Sequence, residues 1–248
     1  MSQGTPPRID VHRPRSIAEI VGASFSLYAR YPLLFLILAL AVAAPYELIV
    51  LAAVGTAPIG GKNLNASTAL ILVVIDVALI APLISALYAH AVVIIGAGER
   101  PNALSVARRV LPVLPVVAAA EIAAGFGIGL GLLAFLIPGI YLLVRWAVVA
   151  QVAALEHPDW MGALRRGADL TRGNFWHVFG VLILTTAVNL GLSEVAASVA
   201  GGTKVADVVI GIAVATIVRS FTALTTAVLY FDLVARESRE DWSDDVYR

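Results

Sequence analysis

Five charged side chains lie well inside apolar runs long enough to cross a bilayer: Glu47, Asp76, Glu121, Arg145 and Arg219. A charge at mid-bilayer costs ~2.5–3.5 kcal/mol on insertion scales, so such groups turn inward to pair, or line water. Paired, they brace helices in register. Unpaired around a cavity, they hold a polar headgroup or pass a proton. Depth suggests the pairs. At 1.5 Å per residue, Arg145 lies ~12 Å and Asp76 ~14 Å from the outer ends of their segments, whereas Glu121 and Arg219 lie ~17 and ~20 Å from the inner ends of theirs. The spacing predicts the pairs Asp76–Arg145 and Glu121–Arg219. Glu47, two residues after Pro45, is close enough to an outer end to reach the interface.

No other chemistry is expected. The chain has no cysteine, which excludes disulfides, thiolate catalysis and thiolate metal sites. His12, His90, His157 and His177 have no metal-ligand spacing, and only His90 lies well inside an apolar run. Gly125, Gly127, Gly129 and Gly131 alternate as GxGxGxG, but no strand precedes them, so they read as close helix packing and not as a nucleotide loop. Gln151 and Asn189 read as interhelical hydrogen-bonding residues. An intramembrane enzyme would want two carboxyls in unlike environments, or a carboxyl beside a histidine or metal. No catalytic, cofactor or metal site is expected.

These residues must be positioned by membrane helices. Of the 248 residues, 60% are hydrophobic and only 14% charged, against about a quarter charged in soluble domains. A transmembrane helix needs ~20 apolar residues. Six segments qualify: Pro32–Val54, Ser67–Ala97, Val110–Leu136, Ile137–Leu155, Phe175–Ser198 and Val208–Leu233. The expected fold is an all-α polytopic bundle of six transmembrane helices in three hairpins, with cytoplasmic amphipathic helices. No alternating barrel strands are visible. Pro45, Pro82, Pro112 and Pro115 are expected kink sites, and Pro138-Gly139 the outer turn of the middle hairpin.

Orientation follows the basic residues. Thirteen of the seventeen lysines and arginines fall in the N-terminal region, the second and fourth connections and the C-terminal tail, whereas the opposite connections offer only Lys62 and Lys204. Both termini are therefore expected in the cytoplasm. Residues 1–15 lack the apolar core of a signal peptide, so the first span is expected to persist. Residues 234–248 read as an acidic, solvated tail without fixed structure. A net charge of +0 argues against nucleic acid as a partner.

Three segments precede the hairpins and look alike. SIAEIVGASFSLYARYP gathers Ile17, Ile20, Val21, Phe25 and Tyr28 on one face, with Ser16 and Glu19 at capping-box spacing. PNALSVARRVLP and DWMGALRRGADLTRGNFW are similar, the latter with Asp159 as N-cap. They suggest three parallel repeats within the membrane domain 16–233, at about 16–97, 101–156 and 159–233, each opening with a helix in the cytoplasmic interface. Arg108, Arg109, Arg165 and Arg166 on these helices are candidate contacts for anionic headgroups.

The fourth segment and the helix after it carry Pro138, Gly139, Arg145, Glu156, Ala163 to Arg166, Leu170, Thr171 and Gly173. In this pattern the chain resembles the membrane-domain family named after glycerophosphoryl diester phosphodiesterases, most specifically over 137–184. The resemblance implies a stand-alone membrane protein of bacterial or archaeal type. Some relatives add a soluble catalytic barrel; only fifteen residues follow the last span here, so the resemblance carries over no catalytic residue. The expected function is a non-enzymatic plasma-membrane protein, bacterial in type, that binds or translocates a lipid or amphiphile or serves as the membrane subunit of an assembly. Its expected partners are membrane lipids and proteins in the membrane or cytoplasm. The alternatives are a proton-coupled transporter using Asp76 or Glu121, and an intramembrane lipid-processing enzyme.

Overall fold

The computed structural model describes residues 14–54, 66–99, 101–156, 159–199 and 204–246. Among the described residues all regular structure is helical, with no strand. In chain order the helices are α1 (Ile17–Arg30), α2 (Pro32–Val54), α3 (Ala66–Ile75), a π-helical turn (Asp76–Ile80), α4 (Ala81–Gly96), α5 (Ala103–Val110), α6 (Leu114–Ala134), α7 (Leu136–Arg145), α8 (Val149–Leu155), α9 (Trp160–Leu170), α10 (Phe175–Val199) and α11 (Lys204–Val246). By length and composition, five stretches can cross a membrane: Pro32–Val50, Leu114–Ala134, Leu136–Leu155, Phe175–Val195 and Val209–Arg239. The second expected span is divided at Asp76, leaving Ala81–Gly96 as a shorter apolar helix.

The helix starts follow local chemistry. Ser16 and Glu19 form a reciprocal capping box on α1, Asn102 caps α5 and Asp159 caps α9. α11 is the central post, packed by α1, α2, α4, α8 and α10. Of the four prolines expected to kink helices, only Pro45 sits inside one. Pro115 lies in the first turn of α6, where its missing N–H leaves no bond unmade. Pro112 lies between α5 and α6. Pro82 follows the π-turn, in which the Ala81 N–H reaches back to the Asp76 carbonyl. The wider turn gives room to a proline that cannot donate and would crowd the carbonyl four residues earlier.

Three expectations are corrected. α1 does not lie alone in the interface: it packs along α10 and α11. The Arg15 N–H donates to Asp232 at one end and Tyr28 reaches Ser220 at the other, so α1 runs antiparallel to α11. Its buried face is Ile20, Ser24 and Leu27, whereas Phe25 is 68% exposed. Ser24 can be buried because its hydroxyl donates to the Ile20 carbonyl, which periodicity in hydrophobicity does not register. Secondly, residues 234–246 continue α11 as helix. Arg236 bonds Asp232 one turn back, and Glu237 is gripped by Arg166, so the acidic segment is tied down. Thirdly, the middle hairpin turns at Phe135, the extended residue between α6 and α7. Pro138 and Gly139 lie within the first turn of α7. Gly139 serves close approach instead: a Cβ there would stand 2.6 Å from the Leu132 nitrogen, and one on Gly131 would stand 2.9 Å from the Gly139 Cα. Gly127 gives similar room to the Trp146 ring. Gly127 and Gly131, one turn apart, thus face α7 and the residues after it as a small-residue seam, while Gly129 points to open space.

The segment from Leu136 to Leu155 is not one helix. It breaks at Trp146 to Val148, where the backbone leaves helical geometry at both ends. No proline causes this. The carbonyl of Arg145, freed at the end of α7, accepts the Thr171 hydroxyl at 3.2 Å from the end of α9.

Candidate functional site

The interior charges assemble around Arg219, and not in the pairs that depth predicts. Arg219 Nη1 bonds Asp76 Oδ1 at 2.5 Å, its Nη2 lies 3.6 Å from Glu47 Oε1, and the guanidinium sits over the Tyr46 ring at 5.4 Å. Tyr46 in turn donates to the Leu72 carbonyl at 3.0 Å, beside the π-turn. Neither Asp76–Arg145 nor Glu121–Arg219 forms an ion pair among the described residues. The depth argument fails because an arginine side chain spans about four helical rises. Glu47 is not at the interface but buried.

Glu121 and Arg219 do share a space. A cavity of about 300 Å³ opens between α4, α6, α8 and α11, lined by Ser85, Glu121, Gln151, Arg219, Thr222 and Thr226 together with alanine, isoleucine and valine. Glu121 makes no hydrogen bond or ion pair with any described residue. Gln151 is fully buried; its amide nitrogen donates to the Thr226 hydroxyl at 2.9 Å, while Oε1 has no partner. Behind Thr222, Asn189 repeats the pattern, with Nδ2 donating at 2.7 Å and Oδ1 unpartnered. A buried acceptor left unpaired costs about 1–3 kcal/mol, so the Gln151 oxygen, on a residue lining this cavity, favours an occupant that donates. Arg219 does not neutralise Glu121, because two other carboxylates already hold it. The interior therefore carries three carboxyls against one guanidinium.

Arg145 stands elsewhere. It makes no ion pair among the described residues and lies 5.9 Å from the centre of the Tyr141 ring. It shares a second hollow, of about 480 Å³, with Thr171, Arg172 and Trp176 at the start of α10.

The basic connections divide in the same way. Arg166 is committed to protein: it forks onto Glu237 at 2.5 and 2.6 Å and reaches Glu156 at 3.1 Å, which also accepts from Tyr230 at 2.9 Å. The hydrogen bonds from Glu237, with Glu156 adding its charge, push the Arg166 guanidinium further above its ordinary range and keep it charged. Arg165 is exposed beside the Met161 sulfur. Arg108 and Arg109 are exposed on α5, Arg109 beside a hollow that also holds His90 and Val116. Sequence reasoning missed Asp232, which is fully buried and accepts from the Arg15 N–H, His177 and Arg236. Its spacing to Arg236 was the available signal. Nothing in the sequence marks Glu237 as a partner, whereas Gln151 and Asn189 make the interhelical hydrogen bonds expected of them, to Thr226 and Thr222.

Residues of the resembling pattern meet in space. Glu156 meets Arg166, the Arg145 carbonyl meets Thr171, and Gly173 takes the left-handed turn, φ +79°, that ends α9. Compared with family models, curated proteins and solved structures, the chain matches none.

Proposed function

We propose that this chain is a multi-pass membrane protein that binds a small amine-bearing amphiphile in its interior cavity, without covalent chemistry of its own. One observation carries the reading: an unpaired carboxyl, Glu121, shares a cavity with the unpartnered buried carbonyl oxygen of Gln151. Ser85, Thr222 and Thr226 add acceptors, and the Arg219 guanidinium on the same wall is held by Asp76 and Glu47; an ammonium group supplies up to three donors and a positive charge for Glu121. The volume suits a headgroup, and the apolar wall suits the start of an alkyl chain.

The sequence supplies the setting. The split segment Ala66–Gly96 is proposed as an additional crossing, so that three helical hairpins open toward one face. The bias of basic residues supports a cytoplasmic side for that face and both termini, and a bacterial cell is proposed from the family resemblance alone. Membership of the membrane-domain family that the chain resembles is proposed on the same footing.

The test is equilibrium binding of octylamine to detergent-purified protein, with octanoate and octanol as matched probes. The amine should bind best, and Glu121→Gln should weaken it at least tenfold while leaving octanol unchanged. Equal binding of octanoate, or an unaltered amine affinity in Glu121→Gln, refutes the reading. A second reading, proton-coupled transport, draws on the acid excess and on the π-turn at Asp76, a helix irregularity frequent at functional sites. It requires pH-dependent flux in proteoliposomes that Asp76→Asn or Glu121→Gln abolishes.

A further inference from the structure

On α11, Thr216, Ser220, Thr222, Thr225 and Thr226 each donate to the carbonyl four residues back. That habit spends the one hydroxyl proton each of them has, and it decides how a neighbouring amide must point. Thr226 is left able only to accept, so Gln151 turns its nitrogen to the hydroxyl and keeps its oxygen unpartnered. A flipped amide would set that oxygen against a hydroxyl with no proton to give. Gln151 is 1% exposed, so water does not relieve it. Ser85 departs from the habit: it lines the cavity, and its hydroxyl bonds no described residue. Glu121 is in the same condition. The three groups come from three helical pieces. Ser85 is the fifth residue of α4, directly after the π-turn, and Gln151 is the third residue of α8, directly after the break that follows α7. Two helix irregularities thus bring two unspent acceptors to the cavity that holds the unpaired carboxyl of α6.

We propose that this cavity selects primary ammonium groups against methylated ones, with Ser85 and Gln151 as the specificity-determining residues. The inference rests on the reading of the cavity as an amine site and names the class of amine. A primary ammonium carries three N–H donors, one for each unspent acceptor on α4, α6 and α8. A methyl in place of one N–H removes a donor and strands a buried acceptor, which a site built to hydrogen-bond penalises far beyond the bulk added. A quaternary ammonium has no N–H at all. Such ions are held by aromatic faces, and among the described residues no aromatic ring lines this cavity. Charge does not discriminate, since every methylated ammonium keeps it. Glu121 attracts the whole series, and the two neutral acceptors sort it. Arg219 does not turn the preference toward anions, because Asp76 and Glu47 hold it.

The test extends the octylamine titration to N-methyl-, N,N-dimethyl- and N,N,N-trimethyloctylammonium, all cations at neutral pH, on the detergent-purified protein. Affinity should fall about tenfold with each methyl, although each methyl makes the probe more apolar. Gln151→Leu should weaken octylamine about tenfold and the trimethyl compound not at all, so that the ratio between them collapses. Ser85→Ala should act in the same direction, about fivefold. Asn189→Leu removes an amide with the same unpartnered oxygen from a residue outside the cavity lining, and should preserve the ratio. Retained octanol binding reports that each variant is folded. If all four cations bind alike while Glu121→Gln weakens every one, the amine site stands and its selectivity for primary amines is overturned. A ratio that survives in the Ser85→Ala/Gln151→Leu double variant overturns the assignment of these two residues. If no cation binds better than octanol, the amine reading falls and this inference with it.

Discussion

Removing the Arg219 guanidinium while keeping the side chain's bulk, as in Arg219→Gln, leaves Asp76 and Glu47 facing each other without a cation. Breaking a buried pair in this way costs about 3–5 kcal/mol, chiefly from the charge left behind. The Arg219 and Asp76 side chains retain 23% and 28% exposure, while Glu47 keeps 3%, so partial solvation points to the lower end, about 3 kcal/mol. That is roughly a hundredfold change in the folding equilibrium. The measurement is reversible unfolding by steric trapping or sodium dodecyl sulfate titration in mixed micelles. Asp76→Asn alone should cost less, because Glu47 still holds Arg219. In the double variant Arg219→Gln/Asp76→Asn the losses should fall short of additivity by about 1–2 kcal/mol, as contacting residues do. The same cycle between Asp76→Asn and Arg145→Gln should be additive, since these residues form no ion pair. If Asp76 couples to Arg145 more strongly than to Arg219, the interior cluster described above is wrong, and the depth-matched pairing holds.

Three further outcomes are expected. Gly139→Val should destabilise the α6–α7 hairpin by about 1–3 kcal/mol through overpacking, because the new Cβ meets Leu132 backbone at 2.6 Å; Gly129→Ala, facing open space, should be near neutral in the same unfolding assay. Arg166→Gln should free the C-terminal turns of α11 by removing the fork on Glu237; limited proteolysis should then cut after Val234, while global stability falls by only about 1 kcal/mol because the pair is partly exposed. Asp232→Asn should loosen α1, since the carboxylate joins the Arg15 N–H to His177 and Arg236; hydrogen exchange in Ile17–Arg30 should accelerate severalfold, with α6 unchanged.

Composition and periodicity determined the class of this protein. An apolar fraction this high cannot be hidden in one globular core, and backbone in lipid must satisfy itself, which leaves helices. The caps at Ser16 and Asp159 were legible because they depend on side chains within three residues of one another. The identity of the interior polar residues was legible too, because charge in an apolar run is conspicuous whatever surrounds it. Their partners were not. Which carboxylate meets Arg219 depends on how α2, the π-turn and α11 cross, and helices in a bundle tilt and slide by more than the one-turn differences on which depth matching relied. The break after Arg145 was equally hidden, since Trp146, Ala147 and Val148 carry no breaking signal; only Gly127 beneath the Trp146 ring and Thr171 on the freed carbonyl make that geometry favourable. The sequence by itself determined that charges enter an apolar bundle. Tertiary structure decided that Asp76 and Glu47 share Arg219 while Glu121 stays apart, and that Arg145 sits beside the turn that starts α10, because ion pairing falls off over a few ångströms that only packing can set.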